Sequence, residues 1–186
     1  KVEINKPIDA IEKGISLVPE DRKGQGVSLT MSIRENISLV CLKQICQAGR
    51  VNLKKDREWS EKYIKALEIK TPTMEQKVKN LSGGNQQKVV MARSIGKNPD
   101  IFFIDEPTRG VDINAKSFIH KKIVELAECG CAIVMISSEL EENLNLCDRV
   151  LIVRNGEIVA EVAKKDISKQ KLMDLCQGIR EEVKYE

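Results

Sequence analysis

The chain has 186 residues, a length that suits one domain or one domain with a small appended subdomain. Hydrophobic residues make up 41% and charged residues 32%, enough for a sizeable core beneath a solvated surface. The formal net charge of +3 is weak and gives no electrostatic case for a nucleic-acid partner, whose readers carry a concentrated basic face.

In chain order, "KVEIN" reads as the end of a strand. "KPIDAIEKG" reads as a short helix with Pro7 near its start and Gly14 past its end. "ISLV" (Ile15–Val18) is a short buried strand stopped by Pro19, and "EDRKGQG" (Glu20–Gly26) is a polar loop. From Ser32 to about Leu81 the pattern turns helical. Ser32 and Glu35 have capping-box spacing, and Asn52 suits the cap of a second helix with Trp59, Tyr63 and Leu67 at helical intervals. Thr71-Pro72 is expected to end that helix. No convincing strand interrupts this stretch, so it reads as an all-helical insert.

Beyond it, strands and helices alternate. Ser82 caps a helix that ends before Asn98-Pro99, and "IFFI" (Ile101–Ile104) is a buried strand running into "DEP". A helix near Asn114–Glu128 places Ile119, Ile123, Leu126 and Ala127 on one face and stops at Gly130. "CAIVMI" (Cys131–Ile136) is another buried strand, far too short to cross a bilayer, followed by "SSEL" and a short helix. "RVLIVRNGEIVAEV" is a hairpin around Asn155-Gly156, a dipeptide suited to a type I′ turn. Continuous apolar strands between helices predict an α/β fold, a mostly parallel sheet with helices on both faces.

Six cysteines without a C-x-x-C pair, and a single histidine, His120, lack the spacing of a zinc site. They read as reduced core thiols of a cytosolic protein. The opening residues do not show the charged-then-apolar pattern of a signal peptide.

Two stretches carry chemistry. In "NLSGGNQQKVVMARSI" (Asn80–Ile95) two glycines follow a serine at the start of an amphipathic helix, where free N–H groups and the helix dipole favour an anion. The phosphate-wrapping pattern G-x-x-x-x-G-K-[ST] is nevertheless absent from the chain. In "IFFIDEP" a buried strand delivers Asp105 and Glu106 to the carboxyl edge of the sheet, where open α/β folds bind ligands. A carboxylate there can hold Mg²⁺ and a neighbour can deprotonate a water. Taken alone, the tripeptide fits an ordinary strand-to-loop exit slightly better.

Together and in this order, "VPEDRKGQG", "TPTMEQKVKNLSGGNQQKVVMARSI", "DEPTRGVD" and "ISSEL" resemble the ATP-binding subunit of ABC transporters. The likeness runs from Glu20 to about Val162 and is strongest to the second ATPase half of tandem sugar importers. It implies an incomplete P-loop-NTPase-like core plus the helical subdomain. The implied partition is 1–31 partial core with the Q-loop region, 32–81 helical subdomain, 82–162 core with signature, Walker B, D-loop and switch, and 163–186 C-terminal helical extension. It further implies ATP and Mg²⁺ as cofactors. Asp105 would hold the metal and Glu106 would be the general base. Ser82, Gly83 and Gly84, with Gln86, would contact a γ-phosphate, and Asp112 would link two ATPase halves. Glu20 stands where the family carries the Q-loop glutamine, and Ser138 where it carries the switch histidine. A serine hydroxyl cannot bear the positive charge a histidine can, and a carboxylate near triphosphate is repulsive unless offset.

The resemblance also implies that the chain is a piece of a longer polypeptide. The parent would be an ATPase at the cytoplasmic face of the cell membrane, while the isolated piece would be soluble and inactive. Its partners would be a second ATPase half (in the same polypeptide or a dimer mate), membrane-spanning permease subunits and, indirectly, a substrate-binding protein, with no nucleic acid. Two alternatives stand beside this reading: a non-catalytic or regulatory module of the same type, and a DNA-repair-type ATPase. The second would bring long heptad coiled coils, and none is visible.

Overall fold

The structure, a computed structural model, describes residues 2–179. It divides into two compact units, 1–136 and 137–186. In the first, helix α1 (Pro7–Glu12) leads into strand β1 (Ile15–Val18). Gly14 makes that connection with φ of +72°, a conformation that favours glycine. The strand end expected at residues 1–5 is not formed. Residues 2–5 are irregular, with Asn5 and Lys6 donating their N–H groups to Asp9 instead, and Lys1 lies outside the described residues.

A parallel sheet is built on β4 (Ile101–Asp105), with β1 on one side and β5 (Ala132–Ile136) on the other. Val18 pairs with Ile104, and Asp105 with Ile136. Helices α5 (Gly83–Ile95) and α6 (Ile113–Glu128) belong to the same core, where Val18, Phe102, Ile104, Val89, Met91 and Ile119 are fully buried. Burying each such side chain favours folding by about 1.5–3 kcal/mol. β5 departs from the expectation of a buried strand. Val134 and Ile136 are 42% and 52% exposed, and Leu17 on β1 is 55% exposed. The apolar runs are therefore continuous in sequence while only alternate residues meet the core. Ala127 is likewise exposed, although Ile119 and Ile123 are buried as expected.

The helical insert contains α2 (Ile33–Ser38), α3 (Leu42–Ile45) and α4 (Leu53–Ala66). Its capping predictions hold: Ser32 and Glu35 form the reciprocal capping box, and the Asn52 side chain accepts from Lys54 and Lys55 N–H. Two details differ. The insert includes a minimal hairpin, β2 (Cys46–Gln47) with β3 (Arg50–Val51), turned by Ala48 and Gly49 at positive φ. α4 also stops short of Thr71-Pro72, because Glu68 takes φ of +48° and the Ile69 N–H closes on Ile64 C=O. Ile69 is then buried, the apolar contact that accompanies such a stop.

Residues 137–179 of the second unit form α7 (Leu140–Leu146), an antiparallel hairpin of β6 (Arg149–Arg154) and β7 (Glu157–Ala163), and α8 (Lys169–Gln177). The turn at Asn155-Gly156 has both residues at positive φ, as the dipeptide predicts. Ile152, Ala160, Val162, Leu172 and Leu175 make its core. No helix among the described residues is long and apolar enough to cross a membrane.

Candidate functional site

In the first unit the site residues gather around the end of β4 and the start of α5. β4 ends at Asp105, half-buried. Glu106 follows in the left-handed region, φ of +45°, with its N–H donating to Ile136 C=O at 2.9 Å. A non-glycine residue there stores strain of about 1–3 kcal/mol, and such strain concentrates at functional sites. It turns the chain out of the sheet edge directly after Asp105.

The segment after Glu106 then visits each remaining element of the site. Arg109 pairs with Glu20, which leaves β1 at the same sheet edge. The charge that the sequence placed at the Q-loop position is thus offset by an arginine of the same unit. Both side chains are more than half-open or close to it, 66% and 50%, so the pair contributes only about 0–1 kcal/mol. Gly110 brings its C=O over the start of α5: a Cβ on Gly83 would lie 3.1 Å from it. Asp112 caps α6 by accepting from the Ala115 N–H at 3.0 Å, and that hydrogen bond holds its carboxyl below the usual range.

At α5, Ser82 is an exposed N-cap whose Oγ accepts from Asn85 N–H and Nδ2, at 3.4 and 3.1 Å. Gly83 and Gly84 form the first turn. Gln86 does not join this exposed face. It is 5% exposed, and its Nε2 donates to Val78 and Leu81 C=O, holding the turn (Val78–Asn80) that delivers Ser82. Asn85 was passed over in the sequence: it donates to Ser82 Oγ, and its Oδ1 accepts from Lys70 N–H at 2.9 Å, tying the helical insert to the cap. Its signal was present, an amide three residues after an N-cap serine. Arg109 and Arg22 were passed over too: both lie inside the stretches that carry the resemblance, but neither was given a role there.

Ser138 lies in the second unit, exposed, at the start of a turn held by its neighbours. Ser137 Oγ donates to the buried Glu142 carboxylate at 2.6 Å and accepts from the Glu139 N–H at 3.1 Å. Among the described residues no group of three or more His, Cys, Asp or Glu is placed to hold a metal ion alone. An apolar hollow of about 170 Å³, lined by Tyr63, Leu67, Ile95 and Leu126, includes none of the predicted site residues.

A parallel sheet whose central strand ends in paired carboxylates, beside a helix that opens on Ser-Gly-Gly, defines an ATP-binding-cassette architecture. A family model described as ABC transporter matches residues 1–109, and the chain belongs to that family. It is 44% identical over 177 residues to the putative ribose/galactose/methyl galactoside import ATP-binding protein 3 of Agrobacterium fabrum, covering 95% of this chain and 36% of that protein. It is 45% identical over 180 residues to the ribose import ATP-binding protein of Bacillus licheniformis, covering 97% of this chain and 36% of that protein. The chain thus spans about a third of the length of the curated relatives it matches. Among solved structures, a dimeric post-hydrolysis ATP-binding cassette bound to ADP and Pi superposes with a TM-score of 0.72 at 21% identity, covering 87% of this chain and 68% of that one. A nucleotide-free cassette from an ABC transporter gives 0.70 at 24%, covering 92% and 71%. These two likenesses establish the fold.

Proposed function

We propose that this chain serves in an ABC importer for a sugar, where it contributes part of an ATP-hydrolysing subunit. The observation that carries the reading is that the segment following Asp105 and Glu106 brings the Gly110 carbonyl and Asp112 against the Gly83–Gly84 helix start, in a chain 44% identical to a sugar import ATP-binding protein over 95% of its length. Ser82, Gly83 and Gly84 accept the γ-phosphate of an ATP held by a second ATPase half, which explains a phosphate-binding helix in a chain without the G-x-x-x-x-G-K-[ST] loop. Gln86 and Asn85 position the Ser82 cap, and Asp112 reaches the second half.

Asp105 suits Mg²⁺, an ion bound through one or two carboxylates together with phosphate oxygens and water. When bound, Mg²⁺ neutralises the phosphates and orients them. Glu106 accepts the proton of the attacking water, and Ser138 offers a neutral hydroxyl at the switch position. Glu20, tied to Arg109, stays out of the triphosphate's way. The subunit docks on a membrane-spanning permease at the cytoplasmic face, with a substrate-binding protein delivering sugar.

The test is import by a chimera. Residues of this chain replace the matching third of the Bacillus subtilis ribose import ATP-binding protein, to which they are 43% identical over 180 residues. Ribose uptake is measured in cells lacking the native protein. The reading predicts restored uptake. A chimera that accumulates and reaches the membrane normally, yet imports nothing, contradicts it.

A further inference from the structure

We infer that Arg22 is a further phosphate-contacting residue of the Ser82–Gly84 site, its guanidinium flanking the start of α5 as a second positive group for the terminal phosphate. This rests on the reading of that helix start as a phosphate seat. A Cβ on Gly83 would lie 3.3 Å from Arg22 Nη2 and 3.1 Å from Gly110 C=O, so the guanidinium and the Gly110 carbonyl both border the space over the first glycine of the helix. Arg22 is half-buried, and its Nε is sealed from water with no hydrogen-bond partner among the described residues.

The acids beside it are engaged elsewhere. Glu20 pairs with Arg109, and Asp21 accepts from Gly24 N–H at 3.0 Å as the cap of the π-helical turn at Arg22–Gly26. That turn, which the sequence presented as a plain polar loop, is what aims Arg22 inward. Asp112, whose Oδ2 would lie 3.2 Å from a Cβ on Gly84, caps α6 and faces Lys70. Burial pulls the Arg22 guanidinium below its ordinary value, and no carboxylate among the described residues offsets its charge. A partly desolvated cation without a counter-charge is costly. Here it stands beside the positive end of a helix of 13 residues, which makes the cost larger. An anionic oxygen bound at the first turn resolves both: it takes the α5 N–H donors on one side and the planar guanidinium on the other.

Inorganic tripolyphosphate is the probe, titrated into the 186-residue chain while the Gly83 and Gly84 amide and Arg22 Nε–Hε resonances are followed by NMR. The amide spectrum reports folding of every variant. The inference predicts that all three signals move together to one saturation point. Arg22→Gln weakens binding about tenfold, the size of one charge-assisted hydrogen bond, and Arg22→Lys weakens it less. Gly83→Asp, which seats a carboxylate beside the guanidinium, abolishes saturation while the spectrum stays folded. If Gly83 and Gly84 saturate with the same affinity in Arg22→Gln, the role of Arg22 is overturned and the phosphate seat stands. If Gly83 and Gly84 show no saturable shift in the unaltered chain, both are overturned.

Discussion

At the scale of single residues, the two glycines of the signature separate into different tasks. In sequence they read alike, as positions that let a phosphate approach the backbone. In the fold, a Cβ on Gly84 would lie 2.6 Å from the Cβ of Ala115 on α6, whereas Gly83 borders Arg22 and the Gly110 carbonyl. A side chain at Gly84 is therefore excluded by helix packing, whereas one at Gly83 would meet Arg22 and the Gly110 carbonyl, and the backbone N–H of either glycine stays available. Overpacking of this kind costs about 1–3 kcal/mol. Gly84→Ala is accordingly expected to lower the urea midpoint of the chain, and Ala115→Gly in the same chain should recover part of the loss beyond simple additivity. Strictly additive effects would show that the two helices do not meet at these positions. The consequence for design is practical: a charge at Gly84 tests packing first, and a charge at Gly83 tests the site. Motif spacing located Asp105, Glu106, Ser82 and Asp112 on the elements where they sit. It was blind to Arg22 and Arg109, because their roles come from a turn and a loop that bring residues far apart in sequence together.

Among elements, caps were the most legible feature, since each depends on a few neighbouring residues. Ser32, Asn52 and Ser82 cap helices through their side chains, as their positions predict, whereas the cap supplied by Asp112 was not read from the sequence. Illegible elements were those decided by context. Glu68 terminates α4 in a left-handed conformation that its residue type does not advertise, and β5 exposes one face although its six-residue run is apolar throughout. The α2 cap also carries a pH signature. The Glu35 carboxylate accepts from Ser32 N–H and Ser32 Oγ at 2.7 and 2.8 Å, which lowers its pKa from the ordinary value of about 4.5. A carboxyl depressed on folding contributes stability that is fully present above its unfolded value and is lost as pH falls through its folded one. Glu35→Gln keeps an acceptor but does not titrate. Urea unfolding should find the unaltered chain more stable than this variant at neutral pH, with the gap closing on the acid side of 4.5. A gap of constant size across that range would remove the ionised carboxylate from the cap's energetics.

At the scale of the molecule, the fold connects the predicted site residues of the first unit. β1 and β4 deliver Glu20, Asp105 and Glu106 to one sheet edge, and the segment from Arg109 to Asp112 links that edge to the start of α5. Membership of the ABC transporter family and the cassette fold were legible because the motifs fall in order along most of the chain. The link between loops was not, since no periodicity encodes it. On the proposed reading, the exposed Ser82 cap and the first turn of α5 complete the phosphate site of a second ATPase half. The most direct test is Mg-ATP turnover by the Bacillus subtilis chimera with and without Gly83→Asp, alongside nucleotide binding at equilibrium. Nucleotide should still bind while turnover falls about a hundredfold or more, because a carboxylate beside the terminal phosphate opposes the charge stabilisation of the transition state. Turnover and binding both unchanged by a carboxylate at that position would contradict the reading.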